Sequence, residues 1–148
     1  MFYFYAMPFV LADEGINYSE GESLEFEGKN YPAINIRYEK GVGSSDLDEY
    51  ILYYDPETFQ MAWLGYSVSY RSGEVSTNYS WIRYNDWQTV NSLLLPKSIT
   101  WHTVEDGVIK GERRTVTFEN IEIGKEAKPV SFFAKPEAAI FVEGKVQK

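Results

Sequence analysis

His102 is the single histidine of the chain, and no cysteine accompanies it. The missing cysteines remove thiol nucleophiles, redox pairs, disulfides and thiolate zinc sites, and an imidazole-based zinc centre ordinarily recruits more than one histidine. A Ser-His-Asp relay needs its serine presented on a sharp strand-to-helix turn, and the sequence contains no Gly-x-Ser-x-Gly elbow. His102 lies instead within Ile99-Thr100-Trp101-His102-Thr103-Val104, on the side shared with Thr100 and Val104. Such a run reads as a strand, so the imidazole is expected to be structural. No catalytic residue is assigned, and no enzyme activity is expected.

Carboxylates are the next candidates. Asp46, Asp48 and Glu49 follow Gly41-Val42-Gly43-Ser44-Ser45, and hard oxygens on a flexible loop are what calcium requires. Counted as an EF-hand loop from Asp46, Asp48 is third and Glu57 twelfth, but Tyr50 replaces the fifth-position oxygen. Ile51 then takes the sixth position, where the loop needs glycine. These are therefore read as solvated loop acids, with no metal. The Gly-x-Gly is no phosphate cradle, because no helix follows whose N-terminus could receive the anion. A carboxylate pair for glycoside hydrolysis depends on a separation of ~5 to 9 Å in space, which sequence spacing does not report. No cofactor is implied.

Aromatic residues make up 17% of the chain, and they carry the remaining signal. Phe59, Met61, Trp63, Leu64, Tyr66, Trp81 and Trp101 fall on what read as neighbouring strands. Ordinary core packing accounts for such a set. The functional alternative is a curved face lining a cavity, where Tyr and Trp offer apolar bodies with polar tips. These seven are the candidate ligand-binding residues.

The elements that must position them show a period of two. Ile34, Ile36 and Tyr38 alternate with polar neighbours, as do Tyr50, Leu52 and Tyr54. Asp55-Pro56-Glu57 closes that strand with a type I turn, since Asp bonds its own backbone and Pro pre-sets φ. From Phe59 to Tyr70 the apolar set changes parity beside Gly65, which predicts a bulge or bend there. Arg71-Ser72-Gly73-Glu74 reads as a turn before a strand carrying Thr77, Tyr79, Trp81 and Arg83. Residues 94–104 form the next strand, with Pro96 at its start or at an edge. Asp106-Gly107 is a hairpin dipeptide leading to a strand over about Lys110 to Ile123, where a second parity slip separates Val116 and Phe118 from Ile121 and Ile123. Met1 to Ala12 is apolar but lacks the basic start of an export signal, so it is expected to be a buried amphipathic helix of the domain, kinked or begun at Pro8.

The fold class expected is a β-rich α+β domain over residues 1–148: a strongly curved antiparallel sheet with a short N-terminal helix. Fourteen Lys and Arg against twenty-two Asp and Glu give a net charge of −8, which argues against nucleic acid and anionic membrane surfaces. No apolar run approaches the ~20 residues of a transmembrane helix.

Tyr53-Tyr54-Asp55-Pro56-Glu57-Thr58, then Ala62-Trp63-Leu64-Gly65-Tyr66, Ile82-Arg83-Tyr84 and Leu93 to Thr100 resemble a family of uncharacterised bacterial envelope proteins, similar to the LolA/LolB-like lipoprotein-carrier superfamily. The resemblance spans roughly Ala6 to Phe133. It implies a half-open antiparallel barrel closed by helices over a cavity for acyl chains, and a periplasmic or outer-membrane-associated location. Family members carry an export signal, a helix and several strands before the segment matching Phe2 to Asp13, which suggests the C-terminal part of a longer protein. An open edge left by missing strands would invite a homodimer. The function expected is non-catalytic binding of a lipid or other apolar ligand in the concavity of the sheet. The alternatives are a carbohydrate-binding module with exposed aromatic platforms and a structural partner subunit.

Overall fold

The computed structural model describes residues 1–42, 45–69 and 72–140. One helix, α1 (Phe2–Val10), precedes seven strands: β1 (Ile16–Phe26), β2 (Lys29–Tyr38), β3 (Glu49–Tyr54), β4 (Met61–Tyr66), β5 (Ser80–Val90), β6 (Leu93–Glu105) and β7 (Val108–Thr117). They form one open antiparallel sheet in simple chain order. A short 3-10 turn at Val130–Phe133 follows.

Local chemistry sets the reversals. Glu27-Gly28, Asn91-Ser92 and Asp106-Gly107 each place both central residues at positive φ, as a two-residue type I′ hairpin requires. Between β3 and β4, Asp55 Oδ1 accepts the backbone N–H groups of Glu57 at 2.9 Å and Thr58 at 3.2 Å. The anticipated Asp-Pro turn is thus capped by its own aspartate. Lys29 pairs with the same carboxylate. The turn anticipated at Arg71-Ser72-Gly73-Glu74 lies partly outside the described residues, as does Tyr70, and the strand beyond it begins at Ser80 instead of Thr77.

Both faces of the sheet are covered at its centre. On one, Met7 and Leu11 pack against Ile36, Tyr50, Met61, Leu64, Ile82, Tyr84, Ile99 and Trp101. On the other, Tyr31, Ala33, Tyr53 and Trp63 are buried, with Phe26, Trp81 and Ile109 packed around them. The Phe26 ring of β1 lies 4.7 Å from Trp63 of β4 and 6.0 Å from His102 of β6, so the end of the first hairpin folds over this second face.

Two expectations are corrected by the structure. Gly65 is regularly paired with Ile51 and Trp81, and the irregularity in β4 falls at Ala62, where Tyr53 pairs Trp63 but Tyr54 pairs Met61. Met61 and Leu64 thereby share the helix-covered face while Trp63 fills the opposite one. The parity change expected in this strand is therefore present, made by the bulge at Ala62 instead of at Gly65, and the burial of Trp63 on the other face obscured its position. A separate kink occurs at Asp86, with φ of 49°, and it brings the Tyr84 and Trp87 rings to 6.2 Å on one side of β5. Finally, β7 ends at Thr117, so Ile121 and Ile123 belong to the coil beyond it and not to a slipped strand.

Candidate functional site

The apolar segment at the start of the chain does become a helix lying on the sheet, and its attachment depends on tyrosines. Pro8 has no N–H to give to the Phe4 carbonyl one turn earlier. That carbonyl instead accepts a bond from Tyr84 Oη at 2.7 Å. At the other end, Tyr18 Oη donates to the Leu11 carbonyl at 2.8 Å. Near the start, the Tyr3 and Tyr50 hydroxyls meet at 3.0 Å. Met7 is wholly buried and the Tyr5 ring sits 4.2 Å from Phe118, so α1 reaches from β3 to the segment after β7. Burial holds the Tyr84 phenol well above its ordinary range, so it remains a donor at any physiological pH.

Beside α1 runs a groove of about 420 Å³, bounded by Phe9 on the helix, Leu52 of β3, Phe59 at the β3–β4 turn, Met61 of β4, Trp87 of β5 and Leu94 of β6. Its volume falls within the ~300 to 1,000 Å³ of small-molecule sites. Phe9, Phe59 and Leu94 are respectively 46%, 77% and 41% exposed, which is unusual for three large apolar side chains around one depression. Its remaining described lining, Pro8, Thr58 and Gln60, adds no charged side chain.

The seven aromatic and apolar candidates do not line a single surface. Phe59 and Met61 border the groove. Met61, Leu64 and Trp101 are buried beneath α1, where Trp101 Nε1 donates to Tyr66 Oη at 3.2 Å. Trp63 and Trp81 sit on the opposite face, so the three candidate tryptophans are divided between the two sides. Phe9, Leu52, Trp87 and Leu94 were not anticipated. Their convergence depends on where α1 lies and on the Asp86 kink, neither of which leaves a periodic trace.

His102 is buried between Trp63 at 4.9 Å and Phe26 at 6.0 Å. Its Nδ1 lies 3.0 Å from the Lys110 carbonyl, which can only accept, so Nδ1 carries the proton. The loop acids are also engaged: Asp46 accepts from Gly41 N–H, Asp48 from Ser45 and Ser69, and Glu49 from Tyr79 while pairing with Arg37. Among the described residues no group of three or more His, Cys, Asp or Glu is arranged to hold a metal ion.

An open antiparallel meander with one helix laid across it, flanked by an apolar groove, defines a β-rich scaffold. The chain belongs to the DUF6503 family, a family of unknown function, whose model matches residues 1–107. That match takes in α1, β1 to β6 and the β6–β7 turn. No curated protein and no solved structure matches the chain.

Proposed function

We propose that this protein binds an acyl chain or a similar apolar ligand in the groove beside α1, without chemical transformation. The observation that carries this reading is the groove itself: about 420 Å³, rimmed by exposed Phe9, Phe59 and Leu94, with no charge in its described lining. Each methylene taken from water into such a groove contributes about 0.8 kcal/mol. Thr58 and Gln60 at the β3–β4 turn offer polar partners to a carbonyl or hydroxyl at one end of the chain. A helix over an antiparallel sheet with acyl-sized space beside it is also what the likeness to the lipoprotein carriers implies, and the half-barrel geometry and envelope location are proposed on that likeness alone. A carbohydrate platform draws less support, because Trp63 and Trp101 are buried and Trp81 and Trp87 are half-buried.

The test is native mass spectrometry of protein purified without detergent, then loaded with a long-chain fatty acid. A one-to-one adduct is expected, and Phe59→Asp with Leu94→Asp should abolish it while leaving the fold intact, since both side chains are exposed. Failure of the wild-type protein to take up the chain, or equal uptake by the double variant, contradicts the assignment. The same spectrum reports subunit number. A homodimer has lost part of its motive, because α1 is covered by its own sheet through Met7 and Leu11.

A further inference from the structure

Alongside α1, from Tyr3 to Asp13 just past its end, lies a second, smaller cavity of about 200 Å³, and it shares no described lining residue with the groove. Tyr3, Tyr38 and Tyr50 form its walls, and Asp13 and Asp48 bring two carboxylates to it. The Tyr38 and Tyr50 rings stand 5.8 Å apart at 86°, making two perpendicular sides, while the hydroxyl contact at 3.0 Å fixes Tyr3 against Tyr50. Burial raises the titration of both Tyr38 and Tyr50 far above the phenol range, so these walls stay neutral.

Asp48 is held firmly. Its Oδ1 accepts from Ser69 N–H at 2.7 Å, Ser69 Oγ at 2.6 Å and Ser45 Oγ at 3.2 Å. No Lys or Arg appears in the described lining, so among the described residues no cation lines the cavity beside either carboxylate. An anion would be repelled by the two acids. A neutral hydrocarbon would desolvate them without compensation, and a hard metal ion favours a cluster of carboxylates, whereas among the described residues no group of three or more His, Cys, Asp or Glu is arranged to hold one. Aromatic faces combined with acids suit one class of guest, a soft, weakly hydrated cation.

We propose that this cavity binds an organic ammonium group of the trimethylammonium type, with the tyrosine rings contacting its methyl groups and Asp13 and Asp48 balancing its charge. The net charge of −8 favours the approach of such a cation. The volume lies below the ~300 Å³ at which sites for drug-sized ligands begin, and it suits a headgroup. The site stands independently of acyl-chain binding, because the two cavities are lined by different residues.

Calorimetric titration with choline, and in parallel with its uncharged isostere 3,3-dimethylbutan-1-ol, tests the assignment. Choline is expected to bind at least about tenfold more tightly than the isostere, a difference of about 1.4 kcal/mol. Asp13→Asn, at an exposed position that the fold does not need, should weaken choline several-fold and leave the isostere unchanged. Monomeric dihexanoylphosphatidylcholine forms a third arm: tighter binding than choline assigns the site to a lipid headgroup, and equal or weaker binding assigns it to a free ammonium compound. Equal affinity for choline and the isostere, no choline binding at tens of millimolar, or insensitivity to Asp13→Asn would overturn the proposal.

Discussion

Gly15 and Gly65 occupy positions with opposite demands. Gly15 takes φ of 76°, and a Cβ there would lie 2.8 Å from the Val42 side chain. Gly65 has no positive φ, and a Cβ would meet Trp81 and Ile51 at 3.5 to 3.6 Å, ordinary van der Waals contact. Gly15→Ala should therefore cost about 1 to 2 kcal/mol in urea unfolding, from the left-handed backbone plus displacement of Val42. Gly65→Ala should fall within about 0.5 kcal/mol of wild type. An inverted order would show that β4, and not the α1–β1 turn, stores the strain. Residue-scale features were legible wherever the cause was local. Asp55-Pro56 and Asp106-Gly107 declared their turns because a side-chain acceptor, a fixed φ or a tolerated left-handed φ acts over two or three residues. Gly65 misled because its local freedom is not what the fold uses.

For α1, the decisive contact is the exchange of a backbone donor for a side-chain one. Pro8 frees the Phe4 carbonyl, and Tyr84, eighty residues away in sequence, satisfies it. Tyr84→Phe should cost about 1 to 3 kcal/mol, the penalty for a buried acceptor without a partner. In a Pro8→Ala background the restored N–H can take over that carbonyl, so the same substitution should cost at least about 0.5 kcal/mol less. A double-mutant cycle with no coupling would contradict the role given to Tyr84. Among the strands, legibility followed the alternation of residue type. β2 and β3 were visible because Ile34, Ile36 and Tyr38, and Tyr50 and Leu52, repeat every second residue on the helix-covered face, although Ala33 and Tyr53 are buried on the other. β1 went unseen because most of it is exposed, with Gly21, Glu20, Glu22 and Ser23 interrupting any alternation and a register shift between Gly21 and Leu24. Its one sequence signal was Glu27-Gly28, a dipeptide less specific for hairpins than Asp-Gly. β4 misled for the converse reason, since Trp63 and Leu64 are both fully buried on opposite faces.

At the scale of the whole molecule, the sheet is open, and its two edges are β1 and β7. Lys110, Glu112, Arg113 and Arg114 stud β7, and Glu20, Glu22 and Glu25 stud β1, charges that discourage each edge from pairing with its own copy. Among the described residues no helix is long and apolar enough to cross a membrane. What the chain leaves unfilled is space beside α1, and this could not be read from the sequence because it depends on how a nine-residue helix sits across strands brought together from residues 49 to 105. Trp87 in the lining of the groove reports whether a hydrocarbon chain enters it. Titration with a fatty acid brominated in mid-chain should quench tryptophan fluorescence saturably. In Trp87→Phe, which keeps an aromatic ring at the site, most of that quenching should vanish while calorimetry still registers uptake. Quenching of the same depth in the variant would place the chain elsewhere, and no saturable quenching of the wild-type protein would contradict acyl-chain binding altogether.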